Sequence, residues 1–221
     1  MKIIGITGRK RAGKDTVADI LNDGTFKTVS FADPMRDIMN EICNTQIGYD
    51  YETHKEEEVL SLIEDTTFAT PTVVKLLSYA SFEISEIEEK GILFNSFLEQ
   101  FKDRNFSPRE FLQKLGTEFA REHIHEDVWV EMLFLKLEEE EGNYIIPDVR
   151  FENEAKAIRE IEGGIIIEVI RENHPDGPVK DTHKSEEGVE LFVGDYSIRA
   201  ETLEELEKRT AVTKRDLWTD E

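Results

Sequence analysis

The apolar positions at the start of the chain change from the period of a strand to the period of a helix. Residues 3–7 form a β-branched run that predicts a strand ending at a glycine. From about residue 13 to residue 22, apolar residues recur three and four positions apart, which predicts a helix. Residues 28–32 predict a second short strand.

The same alternation returns in the last third of the chain. Strands are predicted at residues 144–149, 165–170 and 196–200, and the second is an unbroken apolar run, typical of a strand buried on both faces. Helices are predicted at residues 152–161 and 202–210, the latter with a threonine N-cap and a glutamate at the capping-box position.

Between these ends, residues 34–135 predict mainly helices, with apolar stripes at helical spacing. Residues 171–190 are predicted as a loop or lid, since 173–188 are polar and contain two prolines and two glycines. The fold class predicted is α/β: one domain over residues 1–221, with a parallel sheet flanked by helices and an inserted helical subdomain.

Composition narrows the class of protein. The chain has 221 residues and a formal net charge of −22, which disfavours a nucleic-acid partner because such a surface repels phosphates. A nucleotide-binding protein this acidic must concentrate positive charge locally. The single cysteine excludes an internal disulfide and fits a reducing cytosol. With no signal peptide and no long apolar run, no membrane partner is expected.

Such a concentration of positive charge follows the first predicted strand. Gly8-Arg9-Lys10-Arg11-Ala12-Gly13-Lys14-Asp15-Thr16 fits the pattern G-x-x-x-x-G-K. Glycines let a loop wrap its N–H groups closely around phosphate oxygens, and the following helix adds its N-terminal dipole. The lysine supplies a mobile charge for the β- and γ-phosphates. This pattern indicates a phosphate-binding loop.

The end of this loop departs from the usual pattern. Asp15 stands where a Ser or Thr hydroxyl usually binds Mg²⁺, and Thr16 follows it. A carboxylate is also a hard oxygen ligand, so either residue is a candidate metal ligand. The sequence leaves open which of the two contacts the metal.

A second group of charged residues follows the strand at 144–149. Alternation places Asp148 and Arg150 on one side of the strand end, the end where ligands bind in parallel sheets. Asp148 suits a role in orienting a substrate or a metal, and Arg150 suits a phosphate clamp. A structural ion pair at the sheet edge is the alternative. In the helical block, Gln113, Thr117 and Arg121 form a polar stripe that a solvated helix face would also explain.

Taken together, these segments resemble the deoxynucleoside monophosphate kinases of bacteriophages. The resemblance runs in order from residue 3 to about residue 206. It is carried by the Gly8–Thr16 loop, Phe31-Ala32-Asp33-Pro34, Leu112-Gln113-Lys114-Leu115-Gly116-Thr117-Glu118 with Trp129, Asp148-Val149-Arg150-Phe151-x-Asn153-Glu154, and His183-x-Ser185-Glu186. Near the last strand, Ile198-Arg199-Ala200-Glu201 lacks the Asn and Gly that the family often shows.

The resemblance implies a P-loop fold, with ATP as phosphate donor, Mg²⁺ as cofactor and a deoxynucleoside monophosphate as acceptor. By position, it implies ATP contacts at residues 10–16 and at Lys184, and catalytic roles for Lys14, Asp15, Asp148 and Arg150. It implies an acceptor site made by Arg36, Arg109, Gly116, Thr117, Arg121, Trp129, Asp148, Arg150 and Glu154. A lid cation such as Lys180 or Lys184 would add to the stabilisation of charge during phosphoryl transfer. Family analogy alone suggests a homodimer, and the phage resemblance suggests the host-cell cytosol.

Two other functions remain as alternatives. One is another small-metabolite kinase with such a loop, like phosphomevalonate kinase or dephospho-coenzyme A kinase. The base-sized pocket implied by residues 112–118 and Trp129 disfavours it. The other is a switch or scaffold that binds ATP without turnover and docks partners through its acidic surface.

Overall fold

The computed structural model describes residues 1–45, 54–63, 71–78, 83–172 and 189–218. The chain forms two compact units, one of Met1–Phe31 with Lys136–Glu221 and the other of Ala32–Leu135. The strands are β1 (Ile3–Thr7), β2 (Phe26–Thr28), β3 (Cys43–Thr45), β4 (Leu60–Leu62), β5 (Asn143–Val149), β6 (Ile165–Arg171) and β7 (Tyr196–Ala200). The α-helices are α1 (Lys14–Leu21), α2 (Asp33–Ile42), α3 (Pro71–Ser78), α4 (Ile84–Leu98), α5 (Pro108–Gln113), α6 (Val128–Glu139), α7 (Glu152–Glu160) and α8 (Leu203–Trp218).

The first unit is built on a parallel sheet with strand order β2-β5-β1-β6-β7. Apolar residues of α1 and α8 share one core with Ile4 and Ile6 of β1, on one face of the sheet. A Cβ at Gly5 would lie 2.7 Å from Ile158 of α7, so this helix packs closely against the opposite face. The α/β fold predicted from the sequence is therefore confirmed.

The core of the second unit contains a cluster of phenylalanines. Their ring centroids lie 4.7–6.0 Å apart, and they come from α4, α5, the 3₁₀ turn Glu99–Phe101, the turn before α5 and the segment after it: Phe94, Phe97, Phe101, Phe106, Phe111 and Phe119. Such rings bury large areas and fix their neighbours by shape. After α5 the helix widens into a π-helical segment, Lys114–Arg121.

Several predicted elements differ from the structure in their bounds. The second strand covers Phe26–Thr28 rather than residues 28–32, since the chain turns at Phe31 and Asp33-Pro34 begins α2. The last helix runs on to Trp218, whose ring packs against Phe26 at 5.6 Å. The antiparallel pair β3–β4 was not predicted in the helical block. Of the lid predicted at residues 171–190, Arg171 belongs to β6 and residues 173–188 lie outside the described residues.

Within the part of the chain that the structure describes, no helix is both long and apolar enough to cross a membrane.

Candidate active site

The Gly8–Thr16 loop joins the carboxyl end of β1 to the start of α1. Three of its residues have positive φ, namely Gly8 at 142°, Arg11 at 64° and Gly13 at 100°. A Cβ on Gly8 would lie 2.4 Å from the Val169 carbonyl oxygen, so only glycine fits there. The loop closes on itself through the Ala12 N–H, which donates to the Arg9 carbonyl at 3.1 Å. These turns give the tight curvature of a phosphate-binding loop.

Lys14 is the first residue of α1, and its side chain folds back over the loop. Its Nζ donates to the carbonyl oxygens of Gly8 at 2.7 Å and Arg9 at 3.0 Å. The ammonium is thus held at the loop beside the N-terminus of α1, where the helix dipole also favours an anion. Lys10 and Arg11 are exposed on the outer side of the loop. The loop therefore supplies the concentrated positive charge that an acidic nucleotide-binding protein requires.

The start of α1 also carries the candidate metal ligands. Asp15 is exposed and Thr16 is half-buried, both in the first turn. Among the described residues, no group of three or more His, Cys, Asp or Glu side chains could hold a metal ion. Mg²⁺ in kinases commonly takes one or two protein oxygens and completes its shell with phosphates and water. The oxygens at Asp15 and Thr16 fit a metal bound in this way.

β5 carries a bulge at the point where its charged residues begin. Gly5 pairs with Ile146 but Thr7 pairs with Val149, so β5 holds one extra residue there, beside Pro147. Proline has no N–H for the ladder, and in a central strand it is tolerated at a bulge. Bulges redirect side chains, so strict alternation does not carry through to Asp148. Instead, the Asp148 Oδ2 accepts a hydrogen bond from Ser30 Oγ at 2.5 Å.

Arg150 and Glu154 follow at the start of α7. Glu154 is only 4% exposed, and its Oε2 accepts the N–H groups of Arg150 at 2.8 Å and Phe151 at 3.1 Å. These bonds cap the helix and fix the backbone from which the exposed Arg150 side chain extends. The capping role of Glu154 is visible in the structure, whereas its predicted contact with substrate stays a prediction.

The second unit holds the other predicted acceptor residues. Arg36, in the first turn of α2, donates to Asp33 Oδ1 at 2.9 Å. Arg109, in the first turn of α5, donates to Glu56 Oε1 at 2.5 Å. Both guanidinium groups are thus paired with carboxylates of the same unit.

The π-helical segment Lys114–Arg121 presents Thr117 exposed and Arg121 half-buried. Trp129 is buried at 1% exposure, and its indole N–H donates to the Gly116 carbonyl at 3.1 Å. A Cβ on Gly116 would lie 2.8 Å from the Met35 sulfur. Trp129 is therefore a core residue that supports the segment. The segment itself is a candidate place for function, since π-helical turns frequently occur at functional sites.

Some predicted site residues cannot be placed. Lys180, His183, Lys184, Ser185 and Glu186 lie outside the described residues. Conversely, the sequence pattern did not single out Ser30, because a serine before Phe31 carries no motif of its own.

The family model described as deoxynucleotide monophosphate kinase matches residues 2–210. The chain belongs to the deoxynucleotide monophosphate kinase family. A deoxynucleotide monophosphate kinase of Enterobacteria phage T4 is 28% identical over 93% of this chain and 95% of its own length. A deoxynucleoside-5'-monophosphate kinase of Escherichia phage T5 is 26% identical over 85% of this chain and 84% of its own. A putative deoxynucleotide monophosphate kinase of Acanthamoeba polyphaga mimivirus is 28% identical over 84% and 81%.

These matches confirm both the resemblance and the function predicted from the sequence, phosphoryl transfer to a deoxynucleoside monophosphate. They do not favour the two alternatives, a different small-metabolite kinase and an ATP-binding switch. A phosphate donor is implied by membership in a kinase family, as are small nucleotide substrates.

Proposed function

We propose that this kinase transfers the γ-phosphate of ATP, bound with Mg²⁺, to the 5'-phosphate of a deoxynucleoside monophosphate, giving ADP and a deoxynucleoside diphosphate. The observation that carries the proposal is the Gly8–Thr16 loop, in which Lys14 lies at the N-terminus of α1. Backbone N–H groups at residues 10–16 and the Lys14 ammonium would hold the donor phosphates. Lys184 would complete this group of contacts.

The metal and the charged residues after β5 would act at the transferred group. Asp15 and Thr16 would hold Mg²⁺, which neutralises charge on the β- and γ-phosphates when bound. Arg150 extends from a backbone fixed by Glu154 and would contact the transferred phosphoryl group. Asp148 would orient the metal's water or the acceptor.

The second unit would supply much of the acceptor side, alongside Asp148, Arg150 and Glu154 of the first unit. Arg36, Arg109 and Arg121 supply cations for the acceptor phosphate, and Thr117 supplies a hydroxyl. Carboxylates of Asp33 and Glu56 pair with the first two guanidinium groups. An acceptor phosphate would take the place of these carboxylates at the arginines.

The chemistry needs positioning more than it needs a base. The attacking oxygen of the acceptor phosphate is already ionised, so no side chain must remove a proton. An in-line transfer then depends on holding the two phosphates together while cations offset the charge of the transition state. No covalent intermediate on the protein is required.

Assembly and location are part of the same proposal. A homodimer rests on family analogy alone, and light scattering on the purified chain would test it. The phage sources of the relatives support action in the cytosol of an infected host cell. The net charge of −22 argues against a nucleic-acid partner.

Lys14→Ala tests the proposal directly. It should lower turnover by at least about a hundredfold, near 2.7 kcal/mol of lost stabilisation, because a preorganised cation is removed from the transferring phosphates. The measurement is ADP release with ATP and Mg²⁺, with dGMP, dTMP, dCMP, dAMP, GMP and phosphomevalonate offered singly. Lys27→Ala is the matched control, since Lys27 pairs with Glu140 at an exposed position. Near-normal turnover in Lys14→Ala would contradict the proposal that the Gly8–Thr16 loop holds the donor phosphates.

A further inference from the structure

Ser30 lies at the carboxyl end of the edge strand β2, beside the bulge of β5. The ladder between the two strands ends at Thr28 and Ile145, and the Val29 N–H donates to the Ile145 carbonyl at 3.0 Å. The chain after β2 therefore follows β5 to the position of Asp148. There the Ser30 hydroxyl donates to Asp148 Oδ2 at 2.5 Å.

This hydrogen bond fixes a side chain that the bulge has moved out of the regular alternation of the strand. A hydroxyl that donates to a carboxylate forms a short, charge-assisted bond, stronger than a bond between neutral groups. Asp148 has two rotatable side-chain bonds, and holding one carboxylate oxygen sets the direction of the other. The orientation of Asp148 thus depends on Ser30 as well as on β5.

Asp148 is also next to the phosphate-binding loop in the sheet. Thr7, the last residue of β1, pairs with Val149, and Gly8 begins the loop immediately after it. The Thr7 hydroxyl is buried at 1% exposure, and among the described residues it has no hydrogen-bond partner. The carboxyl ends of three adjacent strands, β2, β5 and β1, thus carry polar residues at this edge of the sheet, where parallel sheets bind ligands.

We propose that Ser30 is a positioning residue for phosphoryl transfer, which holds the Asp148 carboxylate in the orientation that the reaction uses. The inference rests on the proposed role of Asp148. A purely structural role for Ser30 would be to tie the edge strand to the sheet. That strand is already held by its ladder and by the Asn22 side-chain amide, which donates to the Phe26 carbonyl at 3.0 Å.

A double-mutant cycle with Ser30→Ala and Asp148→Ala separates these roles. If Ser30 acts through Asp148, Ser30→Ala should lower kcat/KM about tenfold in the natural background, or about 1.4 kcal/mol. In the Asp148→Ala background the same change should have less than about a twofold effect, because the group it orients is absent. Ser30→Thr keeps the hydroxyl and should recover most of the loss.

Thr28→Ala is the matched control, since it removes an exposed hydroxyl from the same strand. Calorimetric titration with ADP and Mg²⁺ gives a readout for variants too slow to assay. Ser30→Ala should weaken this binding, or that of the acceptor, only while Asp148 is present. Equal effects in both backgrounds, an unchanged kcat/KM, or a loss that merely tracks the melting temperature would overturn the inference. If the natural protein itself fails to phosphorylate any deoxynucleotide, the proposed function fails instead.

Discussion

Three of the candidate phosphate-binding side chains are paired with oxygen atoms of their own chain. Lys14 donates to the Gly8 and Arg9 carbonyls, Arg36 to Asp33, and Arg109 to Glu56. In a protein of net charge −22, oxygen partners for cations are abundant. Such pairing preorganises each cation, and a phosphate would bind by taking the place of these oxygen partners.

Trp129 offers a test of how the acceptor surface is supported. Trp129→Phe keeps an aromatic ring in the core but removes the N–H that donates to the Gly116 carbonyl, together with part of the buried indole volume. A buried carbonyl without its donor costs about 1–3 kcal/mol, so the free energy of unfolding should fall by that amount. The π-helical segment that carries Thr117 and Arg121 should also loosen, and the KM for the deoxynucleotide should rise more than the KM for ATP. Urea unfolding and steady-state kinetics measure the two effects.

Trp218→Phe is the matched control, because Trp218 is only half-buried and its ring contact with Phe26 survives the change. This variant should lose less than about 1 kcal/mol of stability. If both tryptophan variants behave alike, the hydrogen bond to Gly116 does not support the segment.

At the scale of elements, the sequence pattern was most informative where the hydrophobic period was strong. Hydrophobic period and turn chemistry predicted the strand at Ile3–Thr7, the loop that follows it and the start of α8. The predicted cap of α8 is present, since the Glu205 N–H donates to Thr202 Oγ1 at 3.2 Å. The bulge beside Pro147 and the π-helical segment were not predicted. Local periodicity encodes neither feature: the bulge is defined by the pairing of β5 with β1, and the segment is bonded to Trp129, which lies 13 residues after Gly116.

The start of α5 carries a pH-dependent contribution to stability. Ser107 Oγ accepts the Glu110 N–H at 3.1 Å, and the Glu110 carboxylate accepts two bonds from Arg104, the shorter at 2.6 Å. The hydrogen bond from Arg104 lowers the pKa of Glu110 below its ordinary value. A lowered folded-state pKa stabilises the fold above the unfolded-state pKa, and this contribution is lost as pH falls through the folded-state pKa.

Glu110→Gln removes the titrating carboxylate. The free energy of unfolding of this variant should therefore fall less than that of the natural protein when the pH is lowered from neutral to about pH 3. The effect should stay below about 1 kcal/mol, because the pair is partly exposed and screened by solvent. Urea titrations at a series of pH values measure it. Glu131→Gln is the control, an exposed glutamate in the first turn of α6. If the free energy of unfolding falls as steeply at acid pH in Glu110→Gln as in the natural protein, Glu110 does not contribute this pH dependence.

At the scale of the whole molecule, the basic loop and the cysteine lie in different units of the chain. Arg9, Lys10, Arg11 and Lys14 gather four cations in one loop of a chain that carries 49 acidic residues against 27 basic ones. In the second unit, burial raises the pKa of the Cys43 thiol to about 12, so little of this partly buried cysteine is in the reactive thiolate form at neutral pH. The four loop cations thus lie in the first unit and the cysteine lies in the second.

The division of candidate sites between the two units predicts which ligand protects which part of the chain. A ligand at about a hundred times its Kd stabilises the state that binds it by about 2.7 kcal/mol. ATP with Mg²⁺ should slow amide hydrogen exchange most in β1, α1 and β6 of the first unit. A deoxynucleoside monophosphate should instead slow exchange and Cys43 labelling most in the second unit, where Arg36 and Arg109 lie.

Lys14→Ala should abolish the protection given by ATP while leaving that given by the deoxynucleotide, because it removes charge from the donor loop alone. Arg109→Ala should do the reverse. Hydrogen exchange followed by mass spectrometry reads both units in one experiment. If either ligand protected both units equally in both variants, the donor and acceptor roles could not be assigned by unit, and Arg36 and Arg109 would have to be reassigned.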